Sequence, residues 1–204
     1  PVHVVWFSSA RKLSEGFYLD GEEIFYAHDG NTEKVINVND LNLLGRHNYE
    51  NVMAAVCITK AAGIPDEIIV EQIKQFKAVE HRIEFVRECG GVKWYNDSIA
   101  TSPTRVLAGL NSFSQKLIVI MGGYDKKIPF EPMADTVCQK VKLVLLMGLT
   151  ADKIEAAIRG SKLYQEGAPE FVHVGSMEEA VAEAKKRAKP GDIVTLSPAC
   201  ASFD

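Results

Sequence analysis

The 204-residue sequence lacks several patterns that would classify it quickly. It has only four cysteines, Cys57, Cys89, Cys138 and Cys200, with no CxxC pair and no His-x3-5-His set beside them, so neither a zinc site nor a disulfide framework is expected. The cysteines sit in or beside apolar stretches, as reduced thiols of a cytoplasmic protein would. The five histidines are read mostly as surface or packing residues. No strong charge of either sign is present. A net charge of -4 with a pI near 5.8 argues against a nucleic-acid platform, though a local basic pocket for a small anion is compatible with it. The longest apolar runs, "LIVIM" and "LVLLM", are far too short to cross a bilayer, and no membrane partner is expected. No secretory signal is read at the start. Met does not open the chain, and "PVHVVWF" already reads as a strand, so a longer parent is expected. The phosphate-binding patterns G-x4-G-K-[ST] and G-x-G-x-x-G are both absent.

What is present is enough apolar material, 47% against 25% charged, to build a core. The first forty residues read as β structure. Two aromatic-rich runs flank Asp20-Gly21, a hairpin signal, and "KVINVNDL" follows as a short strand. "LLGRHNYENVMAAVCITKAAG" then turns helical, with apolar residues at three and four spacing and Gly63 as the stop. Pro65 and Asp66 open a second helix. Near residues 77–82 the pattern changes to regular alternation. "VKWYNDS", "LIVIMGG", "LVLLMG", "EFVHVG" and "DIVTL" read as strands. The helices between them are "PTRVLAGLNSF" with Ser102 as N-cap, "FEPMADTVCQKV", "TADKIEAAI" with Thr150 as N-cap, and "SMEEAVAEAKKRA" with Ser176 and Glu179 in capping-box spacing. Nearly continuous apolar strands separated by helices predict an α/β fold: a Rossmann-like, mainly parallel sheet with helices on both faces, preceded by a smaller α+β segment.

In such a sheet a ligand sits beyond the carboxyl ends of the strands. The residues there include "NDSIATS", "GGYDKK" and "SPACAS". Small polar side chains before a helix N-terminus suit a carboxylate or phosphate. Ser98 and Thr101 offer hydroxyls, and Lys126 or Lys127 offers charge. Each pattern alone also has a bland reading: cap and turn chemistry for "NDSIATS", a tight turn with solvated lysines for "GGYDKK", helix capping by Asn48 or Asn51, a surface strand edge for His81-Arg82 before Glu84, and close packing of small residues for "SPACAS".

Taken together and in order, "LLGRHNYENVMAA", "HRIEFV", "WYNDSIATSP", "IMGGYDKK" and "LSPACASFD" resemble the Mur ligases, the ATP-dependent amide-forming enzymes of peptidoglycan synthesis. "LSPACASFD" is similar to the branch that adds D-glutamate. The resemblance implies that residues 1–77 are the C-terminal part of a central ATP-binding domain. Residues 78–204 would be most of a Rossmann-like amino-acid-binding domain, stopping before the family's last helices. Asn48, Asn51, Arg82 and Asp97 would then serve the nucleotide, and Ser98, Thr101, Lys126, Ser202 and Phe203 the D-glutamate. Arg82 and Lys126 would be the catalytic pair. ATP and Mg2+ would be required, the metal ligands lying outside this chain, and UDP-N-acetylmuramoyl-L-alanine would be the acceptor. The enzyme would be a cytoplasmic monomer, and this chain, without the P-loop, is expected to be inactive alone. Many members carry lysine where Ile99 stands, and Ile99 is expected to turn into apolar packing. Two other readings stay open: a non-catalytic Rossmann-like module that binds a nucleotide or amino acid, and another amino-acid ligase of the same superfamily.

Overall fold

In the computed structural model, residues 4–77 and 79–201 are described. Contacts divide the chain into two compact units, Pro1–Ala78 and Val79–Asp204.

The first unit is a four-stranded sheet with two helices. Strands β1 (Phe7–Ser8), β2 (Gly16–Asp20), β3 (Glu23–His28) and β4 (Asn31–Asn37) lie in the order β1-β2-β3-β4. The Asp20-Gly21 hairpin is present, with Asp20 opposite Glu23. A second Asp-Gly pair, Asp29-Gly30, turns β3 into β4; both residues have positive φ, as a tight two-residue hairpin needs. Only Phe7 and Ser8 of the first predicted strand pair, and they do so in parallel with β2. Residues 1–3 of that prediction lie outside the described residues. Helix α1 (Arg46–Ala61) and helix α2 (Asp66–Gln75) pack their apolar sides on the sheet, burying Val52, Met53, Val56 and Ile69 with Phe17, Ile24 and Ile36.

The second unit is a six-stranded sheet. Its strands are β5 (Glu84–Cys89), β6 (Val92–Asn96), β7 (Leu117–Gly122), β8 (Val141–Met147), β9 (Glu170–His173) and β10 (Ile193–Leu196), in the order β5-β6-β10-β7-β8-β9. All pairings are parallel except β5 with β6. Helices α3 (Pro103–Asn111), α4 (Glu131–Lys140), α5 (Ala151–Arg159) and α6 (Met177–Arg187) make the crossovers. Alternate residues of the central strands face opposite ways, so each face needs its own cover. Leu117, Val119 and Met121 of β7 pack with Val106 and Leu110 of α3, Met133 and Val137 of α4, and Ile154 and Ile158 of α5. Ile118 and Ile120 face the other way, packing with Ala180 and Ala184 of α6. That two-sided burial explains why β7 is buried at every position.

The antiparallel β5 matches only the bland reading of His81-Arg82 as a surface strand edge. Its residues are mostly exposed, so it carries no core alternation, and its turn is Gly90-Gly91. Two predicted caps also work differently. Ser102 sits at the N-cap of α3 in extended conformation, but its hydroxyl meets Thr104 Oγ1 at 3.3 Å instead of capping a backbone N–H. Thr150 precedes α5 with helical backbone angles and makes no cap bond. Ser176 does cap α6, accepting from Glu179 N at 3.2 Å. The Glu179 carboxylate in turn accepts from Gly175 N at 2.7 Å.

Candidate functional site

β10 enters between β6 and β7, so the chain leaves its neighbouring strands there in loops that diverge around a shared rim. Three segments meet at it: residues 97–102 after β6, 123–127 after β7, and 197–201 after β10. The last one stitches the other two. Ala199 N donates to Ala100 O at 2.9 Å, Gly122 N to Pro198 O at 3.0 Å and Tyr124 N to Ala201 O at 2.8 Å.

The glycine pair in "IMGGYDKK" is explained by this crowding rather than by a loose turn. A Cβ on Gly122 would fall 1.8 Å from Met147 O, and one on Gly123 would fall 2.3 Å from Ala201 O. Both have positive φ, 117° and 142°. No side chain fits there. Thr150 completes the seam. Its hydroxyl is fully buried, 3.1 Å from both the N and the O of Gly123 and 3.3 Å from Cys200 Sγ.

Two cations reach over the β6 loop. Lys126 Nζ donates to Thr101 O at 3.2 Å, and Arg105 donates to Ile99 O at 3.2 Å. Lys126 is exposed and Thr101 half-buried at the start of α3. The structure therefore brings together two residues that the sequence reading had assigned to one pocket. Neighbouring Asp125 is paired with Lys153 and accepts from Lys127 N at 2.7 Å, which holds its carboxyl below the usual carboxylate range. Ser98 is half-buried, and its N–H is bonded to Asn96 Oδ1 at 3.1 Å in a local turn. Ile99 is half-buried and lies outside the apolar clusters, so it does not join the core as expected.

Asp97 behaves unlike the rest of its loop. It is 4% exposed. One carboxylate oxygen accepts from Ile83 N at 3.2 Å and the other from Ser197 Oγ at 3.2 Å. Burial pushes its pKa up to about 6, against the lowering pull of those two bonds and of Arg82 and Arg105. The expectation of a carboxylate presented to a nucleotide thus meets one turned inward with both oxygens engaged. Arg82 is exposed and its charge acts on Asp97.

On α1 of the first unit, Asn48 is buried and its amide donates to Leu44 O at 2.7 Å, tying down the segment that enters the helix. Asn51, one turn on, is exposed. Ser202 and Phe203 lie outside the described residues. Among the described residues no group of three or more His, Cys, Asp or Glu side chains could hold a metal ion, and no helix is long and apolar enough to cross a membrane. Sequence reasoning took Ser197 only as part of "SPACAS" and Thr150 only as an N-cap, and passed over Gly109; their partners lie 100, 27 and 12 residues away and leave no local pattern.

Residues 81–200, which hold this whole rim up to Cys200, match the family described as Mur ligase, glutamate ligase domain. The chain belongs to the Mur ligase family. A UDP-N-acetylmuramoylalanine–D-glutamate ligase of Lachnospira eligens is 48% identical over 201 residues, 98% of this chain and 44% of that protein. A Clostridium botulinum protein of the same name is also 48% identical, over 98% of this chain and 43% of its own length. This Mur ligase chain thus spans less than half the length of these curated relatives. Among solved structures, UDP-N-acetylmuramate-alanine ligase from Thermotoga maritima aligns with a TM-score of 0.63 at 15% identity, over 90% of this chain and 42% of that one. The pseudomurein peptide ligase type C of Methanothermus fervidus aligns at 0.61 and 16%, over 91% and 39%. At such identities the likeness concerns the fold.

Proposed function

We propose that the parent of this chain is an ATP-dependent ligase that joins D-glutamate to UDP-N-acetylmuramoyl-L-alanine in peptidoglycan synthesis. The carrying observation is near-half identity, across 98% of the chain, to proteins bearing that enzyme's name. On this reading residues 1–77 end the central ATP-binding domain and residues 78–204 form the amino-acid-binding domain.

ATP supplies the phosphoryl group that turns the acceptor carboxylate into an acyl phosphate, which the amine of D-glutamate then attacks as phosphate leaves. The protein's part is positioning and charge neutralisation. Lys126, the Thr101 hydroxyl and the amides at the start of α3 are the groups we assign to a D-glutamate carboxylate. Ser98, Ser202 and Phe203 complete that assignment. Arg82 is assigned to the nucleotide phosphates. Asn51, exposed on α1, suits the adenine better than Asn48, whose amide is already engaged. Asp97 acts through the backbone it holds rather than by direct contact. Mg2+ would be held by residues outside this chain. The reading makes the enzyme a cytoplasmic monomer with small-molecule partners.

The test uses the full-length parent. Release of ADP and phosphate should require D-glutamate and UDP-N-acetylmuramoyl-L-alanine together, and L-alanine or a diamino acid should not replace D-glutamate. The 204-residue chain alone should show no magnesium-dependent turnover, since its sequence has no phosphate-cradling loop. Turnover by this chain, or indifference of the parent to D-glutamate, contradicts the reading.

A further inference from the structure

The corner that carries Arg82 is held in an unfavourable backbone shape. His81 has φ +67° and Ile83 φ +47°, the left-handed region, where a β-branched residue is rare. Such a corner persists only if its surroundings hold it. Ile99 N donates to His81 O at 3.2 Å. His81 N donates to Glu84 Oε2 at 2.9 Å, and Asn96 Nδ2 lies 2.9 Å from the imidazole Nδ1. Of the side chains in this set, Asp97 is the buried one, accepting from Ile83 N. Arg82 stands between the two left-handed residues with its side chain exposed.

Behind Asp97 lies a second layer. Ser197 donates to Oδ2. On α3, a Cβ on Gly109 would fall 2.6 Å from that same Oδ2. Gly109 has no left-handed backbone to justify it. Glycine weakens a helix relative to alanine, so its presence here answers a need for room beside the carboxylate.

We infer that Gly109 and Ser197 are positioning residues: they seat the Asp97 carboxylate, the carboxylate fixes the 81–83 corner, and the corner aims the Arg82 guanidinium at a phosphate of the nucleotide. The inference rests on the ATP-using reading above. It assigns a role in nucleotide handling to a glycine buried on α3.

The experiment is a double-mutant cycle in the full-length enzyme, with ATP and D-glutamate kinetics read separately. Gly109→Ala should raise the KM for ATP about tenfold, the scale of one misplaced charge-assisted contact, with little change for D-glutamate. In an Arg82→Ala background the same substitution should add nothing, because its route runs through Arg82. Ser197→Ala, which only removes a hydroxyl, should act in the same direction more weakly and covers the case in which Gly109→Ala fails to fold. Hydrogen exchange at the Ile83 amide should accelerate in both variants. A wild-type parent without ATP-dependent turnover overturns the functional reading. An active parent in which ATP kinetics stay unchanged, or in which Gly109→Ala and Arg82→Ala add independently, overturns this inference. Faster exchange at Ile83 without any ATP effect overturns it too.

Discussion

The loops after β6 and β7 lie on the same rim but are held by different physics. The β6 loop adds side-chain ties to its backbone bonds with Ala199 and His81: Asp97 on Ile83 and Ser197, Asn96 on His81, Arg105 on Ile99 O. The β7 loop hangs on backbone approach, with Gly122 against Met147 O and Gly123 against Ala201 O, locked by the Thr150 hydroxyl. A seam of close backbone tolerates no added atom. A seam of side chains can be loosened by degrees and by pH. The β7 loop is thus a fixed base for Lys126, whereas the β6 loop can be tuned.

That contrast predicts a ranking. Gly122→Ala should be the most damaging change, since its Cβ would lie 1.8 Å from a backbone oxygen at φ 117°. A loss of about 4 kcal/mol or more, measured by urea denaturation, is expected. A mild effect would mean that the β7 seam is looser than described.

Asp97→Asn should act next, and through pH. Below the ordinary value of 3.8 the carboxyl is protonated in both folded and unfolded chains. Between there and about 6 the unfolded chain has released a proton that the folded one keeps. Stability therefore falls as pH rises through this window, by about 3 kcal/mol for a shift of roughly two pKa units. An asparagine side chain cannot titrate, so the variant should lose this fall. Parallel pH profiles for the two proteins would remove the case for a buried, proton-holding Asp97.

Thr150→Val keeps the shape but leaves the Gly123 N–H without its buried acceptor, which should cost about 1–3 kcal/mol in the same denaturation assay. If Thr150 were only a helix cap, the cost would instead follow the weaker capping range and spare the β7 loop.

Much of this architecture was legible in the sequence because it rests on local pattern. Five strands and the four helices between them announce themselves by apolar runs and by caps such as Ser176. The antiparallel β5 was legible only as the bland reading of His81-Arg82, because an exposed edge strand has no buried face to pattern it. The rim was legible as a place, from "NDSIATS" and "GGYDKK" at strand ends, and Lys126 reaches the Thr101 main-chain oxygen there. The inward turn of Asp97 was not legible. Its cause is Ser197, a hundred positions away, and the empty side of Gly109. Local sequence tells which residues are polar, but long-range packing decides which of them stay on the rim.

The central claim is that the rim of the second unit holds D-glutamate through a cation carried on the rigid β7 loop. Lys126→Ala in the full-length enzyme tests it most directly, because Lys126 is exposed and its loss should barely touch stability. The account predicts a fall of about 10- to 100-fold in kcat/KM for D-glutamate, the scale of one charge-assisted contact, with ATP KM close to wild type. D-glutamate kinetics equal to wild type would contradict it and return Lys126 to a solvated turn.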